Sequence, residues 1–177
     1  MENGNWENKD TNNSPESSKF FEYKERLNEV LKEVSSLEQD WNMVEQERNK
    51  LPFTQKGIQV IEFLSSDKIA DGPLIRNFHN ELINFIEKEN SKGNYSVIKK
   101  LFDFKNKMIS VQGIIWNLRE EKDDLIESMK GIKDSEQPIS LISNREILQI
   151  SIFYITMKSL NSYLKDMTNT LDNIINL

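Results

Sequence analysis

Apolar and aromatic residues recur at steps of three and four along most of the chain, the spacing of one helix face. The first run is Phe20, Tyr23, Leu27, Val30, Val34, Leu37, Trp41 and Val44, followed by Leu51. Written as heptads, Phe20, Leu27, Val34, Trp41 and Arg48 take the a positions. Tyr23, Val30, Leu37, Val44 and Leu51 take the d positions. Charged residues such as Lys24, Arg26, Glu33, Glu38 and Asp40 flank this seam, the pattern of a coiled coil. It predicts a long helix over 15–51. Ser14 is placed to cap it and Pro15 to fill its first position, while Pro52 kinks or ends it.

A helical hairpin is predicted over 53–90. Val60, Ile61 and Leu64 share a face in its first arm, which Gly57 weakens by about 1 kcal/mol relative to alanine. Ile75, Phe78, Leu82 and Phe85 mark the second arm, and Ser91 to Asn94 reads as a turn with Asn94 as N-cap. A third long helix is expected over 95–132, roughly 55 Å at 1.5 Å per residue. Its seam runs Val97, Leu101, Phe104, Met108, Val111, Ile115, Leu118, Leu125, Met129 and Ile132, interrupted by Lys122. A second row, Ile98, Phe102, Ile109, Trp116 and Ile126, lies beside it, so this helix should touch more than one neighbour.

The last helix is predicted over 144–176, with Ile150, Phe153, Met157, Leu160, Leu164, Met167, Leu171 and Ile174 in one seam. Ser143 and Glu146 form a capping box before it. Ile150 to Thr156 is β-branched and aromatic enough to form a strand with Ile139 to Ile142 instead. The longer seam and the capping box favour helix. The predicted fold is all-α, an elongated helical bundle or coiled coil of three long helices and two shorter ones. It forms one domain over 15–177, behind a polar, disordered tail at 1–14 whose large aromatic residue is Trp6.

Composition narrows the function. The 177 residues hold 23 Lys and Arg against 29 Asp and Glu, a net charge of −6. That balance argues against unaided binding to nucleic acid or to an anionic membrane. With no cysteine, the chain has no disulfide, thiol nucleophile or cysteine-ligated metal. With one histidine, His79, it has no multi-histidine centre, and neither Glu-x-x-His motif of a di-iron bundle is present. The glycines are scattered rather than gathered in a phosphate loop. Glu120, Glu121, Asp123, Asp124 and Glu127 form a charge run of the kind that solvates a helix face. No cofactor, metal site or catalytic residue is therefore expected, and the chain reads as a non-enzyme. The start of the chain lacks the apolar core of a signal peptide, which points to the nucleus or cytoplasm.

Lys99, Lys100, Lys105 and Lys107, interleaved with Leu101, Phe102 and Phe104, make one basic stretch. It reads first as a solvated flank, second as a contact for an acidic partner helix, and a distant third as a nucleic-acid contact.

The run Arg119-Glu120-Glu121-Lys122-Asp123-Asp124-Leu125, with Ile126 and Met129 after it, resembles the acidic–basic helix of small fungal inner-kinetochore subunits related to centromere protein H. The resemblance spans about the middle third of the chain. It implies a coiled-coil subunit working in chromosome segregation.

The expected function is that of a helical scaffold or adaptor subunit assembled through coiled-coil packing with other subunits or with itself. The expected partner-binding residues are Phe20, Tyr23, Leu27, Val30, Val34, Leu37, Trp41, Val44 and Arg48. The seam they form needs cover, which later helices, a copy of the chain or another subunit can supply. If the first helix is internal core, the partner surface is sought on the Ile98, Phe102 and Ile109 row. The alternative function is a membrane-trafficking or autophagy-type tether that binds lipid through an amphipathic face.

Overall fold

The computed structural model describes residues 15–37, 40, 51–70, 76–136 and 144–175. Seven helices and no strand occur among the described residues. They are α1 (Pro15–Ser35), α2 (Leu51–Leu64), α3 (Asp67–Ala70), α4 (Arg76–Ser91), α5 (Tyr95–Glu120), α6 (Lys122–Asp134) and α7 (Asn144–Ile175). The protein is an all-α helical bundle. Ile150 to Thr156 lies wholly inside α7 and is helical. The polar tail at 1–14, most of 38–50 and Ser143 of the capping box lie outside the described residues.

The buried side chains form one core. α7 and the α5–α6 pair run antiparallel. Lys107 of α5 reaches Asp166 of α7 at 3.1 Å, while Ser128 of α6 donates to Gln149 at 2.7 Å, so one numbering rises as the other falls. α1 packs along α7 and joins it through the Lys24–Asp172 ion pair. Its Phe20 ring meets Phe85 of α4 edge-on, with centroids 5.0 Å apart. Tyr23 meets Phe104 of α5 in the same manner at 6.1 Å. Burial pushes the Tyr23 phenol far above its usual range. α2 packs chiefly against α6, and Lys56 ties it to Glu33 of α1 at 2.8 Å.

Three features differ from the sequence expectation, the third at the α4–α5 turn. The single helix expected over 95–132 is two helices. Glu121 sits at φ −95° and ψ 5°, between α5 and α6. Its N–H still donates to the Asn117 carbonyl and its carbonyl still accepts from Leu125, both at 3.0 Å, so the interruption is one residue wide. It coincides with Lys122, where no apolar side chain anchors the turn between Leu118 and Leu125 in the core. The second feature is Gly57, a weak helix former with a packing role. A Cβ there would stand 2.8 Å from Met129 Cε, so the bare backbone lets α2 approach α6 closely.

The α4–α5 turn is locked by its own residues. Gly93 takes φ +72°, a left-handed conformation that suits glycine at a helix C-terminus. Its N–H donates to the Asn90 carbonyl at 3.0 Å. Asn94 holds the N-cap position of α5 but does not cap with its side chain. The amide instead donates to the Glu89 carboxylate at 3.0 Å, which also accepts from Lys92 at 2.7 Å. Glu89 is buried, and the Lys92 hydrogen bond, aided by that from Asn94, outweighs burial and holds its carboxyl below the usual range.

Candidate functional site

The α1 seam is the chain's own core. Phe20, Tyr23, Leu27, Val30, Val34 and Leu37 are all buried, covered by later helices of the same chain. A partner could use them only after α1 had been lifted away. Trp41, Val44 and Arg48 lie outside the described residues.

Little in the fold suggests chemistry. His79 lies on α4, and its side chain is outside the described set. Among the described residues, no group of three or more His, Asp or Glu side chains is placed to hold a metal ion. No described helix is long and apolar enough to cross a membrane. A polar cleft of about 320 Å³ between α6 and α7 is lined by Asp124, Glu127, Ser128, Arg145, Glu146 and Gln149. The Ser128–Gln149 hydrogen bond closes its wall. The cleft gathers carboxylates with no nucleophile–base pair among its lining residues. A neighbouring one, of about 350 Å³, is lined by Glu121, Asp124, Leu125, Gln149, Ile152 and Phe153. Asn161 on α7 is buried with an amide oxygen that has no hydrogen-bond partner, and it lines neither cleft.

The outer side of α5 is different. Val97, Leu101, Phe104, Met108, Val111, Ile115 and Leu118 face the core. Roughly 130° round the helix, at 100° per residue, runs a second apolar row. Tyr95, Phe102, Ile109 and Trp116 are 74%, 49%, 52% and 50% exposed. They recur every seventh residue and extend over about 32 Å of helix at 1.5 Å per residue. This is the row the sequence placed second, with Tyr95 added at its start. Ile98 and Ile126, which that row also included, are half-buried, Ile98 between the exposed row and the core and Ile126 on α6.

Apart from Ile98 and Gly113, the positions around the row are polar. Lys105 and Gln112 lie on the core side, and Lys99, Asn106 and Gly113 on the outer side. Glu120 closes the far end. A Cβ built at Gly113 would meet nothing within 4 Å, so the backbone is bare between Ile109 and Trp116. The four lysines of the basic stretch have separate fates. Lys107 bonds Asp103 at 2.8 Å and Asp166 at 3.1 Å, and these carboxylates, Asp103 first, raise its pKa. Lys99, Lys100 and Lys105 make no hydrogen bond or ion pair in the structure. By helical position Lys99 and Lys105 flank the row, whereas Lys100 lies on the other side of the seam.

A smaller apolar group was not singled out in the sequence. Leu148, Ile152 and Ile155 of α7 are exposed, stepping four and three on the face turned from the α7 seam. The four–three spacing is legible in the sequence, and Ile152 and Ile155 fall within the 150–156 stretch that also suits a strand. No protein-family model, curated protein or solved structure matches this chain, so the reading of the α5 row rests on its own geometry.

Proposed function

We propose that this chain is a non-enzymatic helical adaptor, a subunit of a larger assembly that receives a partner helix along the outer row of α5. The observation that carries this reading is the exposed heptad spacing of Tyr95, Phe102, Ile109 and Trp116. An isolated exposed apolar residue needs no explanation, but four large ones aligned on one helix face mark an interaction surface. A seven-residue repeat is the period at which one helix presents knobs to another. The α1 seam meanwhile serves the interior, so α5 takes over the docking role expected of α1. The finer picture, an elongated coiled-coil subunit of the nucleus or cytoplasm acting in chromosome segregation, is supported by the resemblance of 119–129 to inner-kinetochore subunits.

The membrane-tether reading draws on the same aromatics, since tyrosine and tryptophan beside lysine suit a lipid interface. The row is too narrow for it. Polar Lys105 and Gln112 lie on one side and Asn106 on the other, where a helix lying in a bilayer surface needs a broad apolar face.

The test compares the chain with a variant carrying Phe102→Glu, Ile109→Glu and Trp116→Glu. The variant should keep its helical circular dichroism and lose the proteins that co-purify with the wild type. Identical co-purifying proteins from both would sink the adaptor reading. Co-sedimentation of the wild type with liposomes, lost in the variant, would favour the tether.

A further inference from the structure

We infer that the partner received by the α5 row is an acidic amphipathic helix, one with an apolar seam flanked by carboxylates. The inference rests on the adaptor reading and goes further by fixing the partner's charge. Three observations carry it.

The first is unmet charge. Along the row from Tyr95 to Trp116, the charged residues beside it are Lys99 and Lys105, and neither has an ion-pair partner. Lys107 faces away and is satisfied by Asp103 and Asp166. Asp103, the acidic residue in this stretch, pairs with Lys107 and not with either flanking lysine. A chain of net charge −6 thus carries a locally basic, apolar strip. Flanking charges of this kind choose coiled-coil partners.

The second observation argues against a second copy of the chain. In an antiparallel pairing of the row with itself, the midpoint between Tyr95 and Trp116 falls between Lys105 and Asn106. The two-fold axis would then bring Lys105 against its own copy. A parallel pairing in register would set Lys99 of each copy along the flank that carries Lys105 of the other. Either arrangement opposes like charges, which is destabilising at helix–helix contacts. Carboxylates on a different helix relieve the conflict.

The third observation is space. The bare backbone at Gly113 leaves a notch between Ile109 and Trp116 into which a bulky partner side chain can pack. A partner whose seam places a leucine or phenylalanine there gains contact with both residues.

The experiment uses the full chain and synthetic helical peptides of about three heptads, the length of the row. One peptide has leucine seam positions with glutamate flanks, a second the same seam with lysine flanks, and a third has serine in place of leucine. Binding is read by fluorescence anisotropy. The glutamate peptide should bind the wild type at least about tenfold more tightly than the lysine peptide, and less tightly as salt rises. The serine peptide should not bind. A chain carrying Lys99→Glu and Lys105→Glu should prefer the lysine peptide, and one carrying Phe102→Glu and Ile109→Glu should bind neither. All four sites are at least partly exposed, and circular dichroism checks that each variant is folded. Equal binding of the two charged peptides, a preference unchanged by charge reversal, or no binding of the glutamate peptide would each overturn the inference. If the charged peptides bind equally but both need Phe102 and Ile109, the acidic partner falls and the docking row stands. If the row variant binds as the wild type does, both fall. A dimer by light scattering that Phe102→Glu and Ile109→Glu dissociate would make the occupant a second copy. Binding of phosphatidylserine vesicles through the row, in place of the peptides, would make it a lipid surface.

Discussion

Lys107 of α5 donates to the Asp166 carboxylate of α7 at 3.1 Å. In sequence Lys107 belongs with Lys99, Lys100 and Lys105 as one basic stretch. In the fold it is a strut between two helices, and the lysines left beside the exposed row are Lys99 and Lys105.

Alkaline stability should depend on Lys107. Its pKa is raised from the ordinary 10.5, first by the hydrogen bond it donates to Asp103 and then by the one it donates to Asp166. A group whose folded pKa lies above its unfolded value contributes its full stabilisation below the unfolded value. That contribution disappears as pH rises through the folded value. The wild type should therefore lose urea resistance above the ordinary lysine pKa. Lys107→Met should begin from a lower midpoint and show a smaller loss over the same interval. Parallel pH profiles for the two proteins would contradict the strut.

Glu89 should act with the opposite sign. The hydrogen bonds from Lys92 and Asn94 lower its pKa below the ordinary 4.5, so its stabilisation is fully present above that value. It is lost as pH falls through the lower folded value. Glu89→Gln keeps the shape of the side chain but not the charge. In acid titrations followed by circular dichroism, the variant should start less stable near neutrality and decline less steeply than the wild type below the ordinary glutamate pKa.

The two apolar rows should respond differently to truncation. Leu27 is fully buried in α1, so Leu27→Ala should cost about 2–5 kcal/mol, the range for leucine deletion in a packed core. Ile109 is half exposed, so Ile109→Ala should stay within about 0.5 kcal/mol, as surface changes do. Urea unfolding measures both. A large loss at Ile109 would mean that the outer row of α5 is held by something within the chain. A small loss at Leu27 would mean that α1 does not complete the core.

Helix positions were legible because the three–four spacing is a local signal, and the α5 and α7 seams were read residue for residue. The destination of each seam was not. Phe20 to Leu37 has coiled-coil spacing whether its cover comes from α7 or from another molecule, since a heptad records only that a helix lies alongside. The break at Glu121 left a trace in Lys122, but a lone charged residue in a seam also occurs in unbroken helices. Gly57 read as a weakness because its purpose, room for Met129, belongs to a residue 72 positions later. The outer row of α5 was visible as apolar positions. Its exposure depended on where α4 and α7 settle, which no window along the sequence contains.

Gly93 and Gly113 offer a last test, in which one substitution should act with opposite signs. Gly113 lies in the middle of α5, exposed, with open space where a Cβ would go. Alanine there lowers the entropy of the unfolded chain and improves helix propensity, so Gly113→Ala should stabilise by about 0.5–1 kcal/mol. For a chain of this size that is a rise of roughly 1–4 °C in melting temperature. Gly93 also has open space around it, but its φ is +72°. An alanine there strains against the following carbonyl, so Gly93→Ala should destabilise by about 1 kcal/mol and lower the melting temperature by roughly 2–4 °C. Thermal melts of the two variants alongside the wild type decide the matter. A loss at Gly113 would mean that its bare backbone is already filled by a neighbour in the free chain, and the notch beside Trp116 would not be open to a partner. A neutral result at Gly93 would mean that the α4–α5 turn is set by Glu89, Lys92 and Asn94 without help from the glycine.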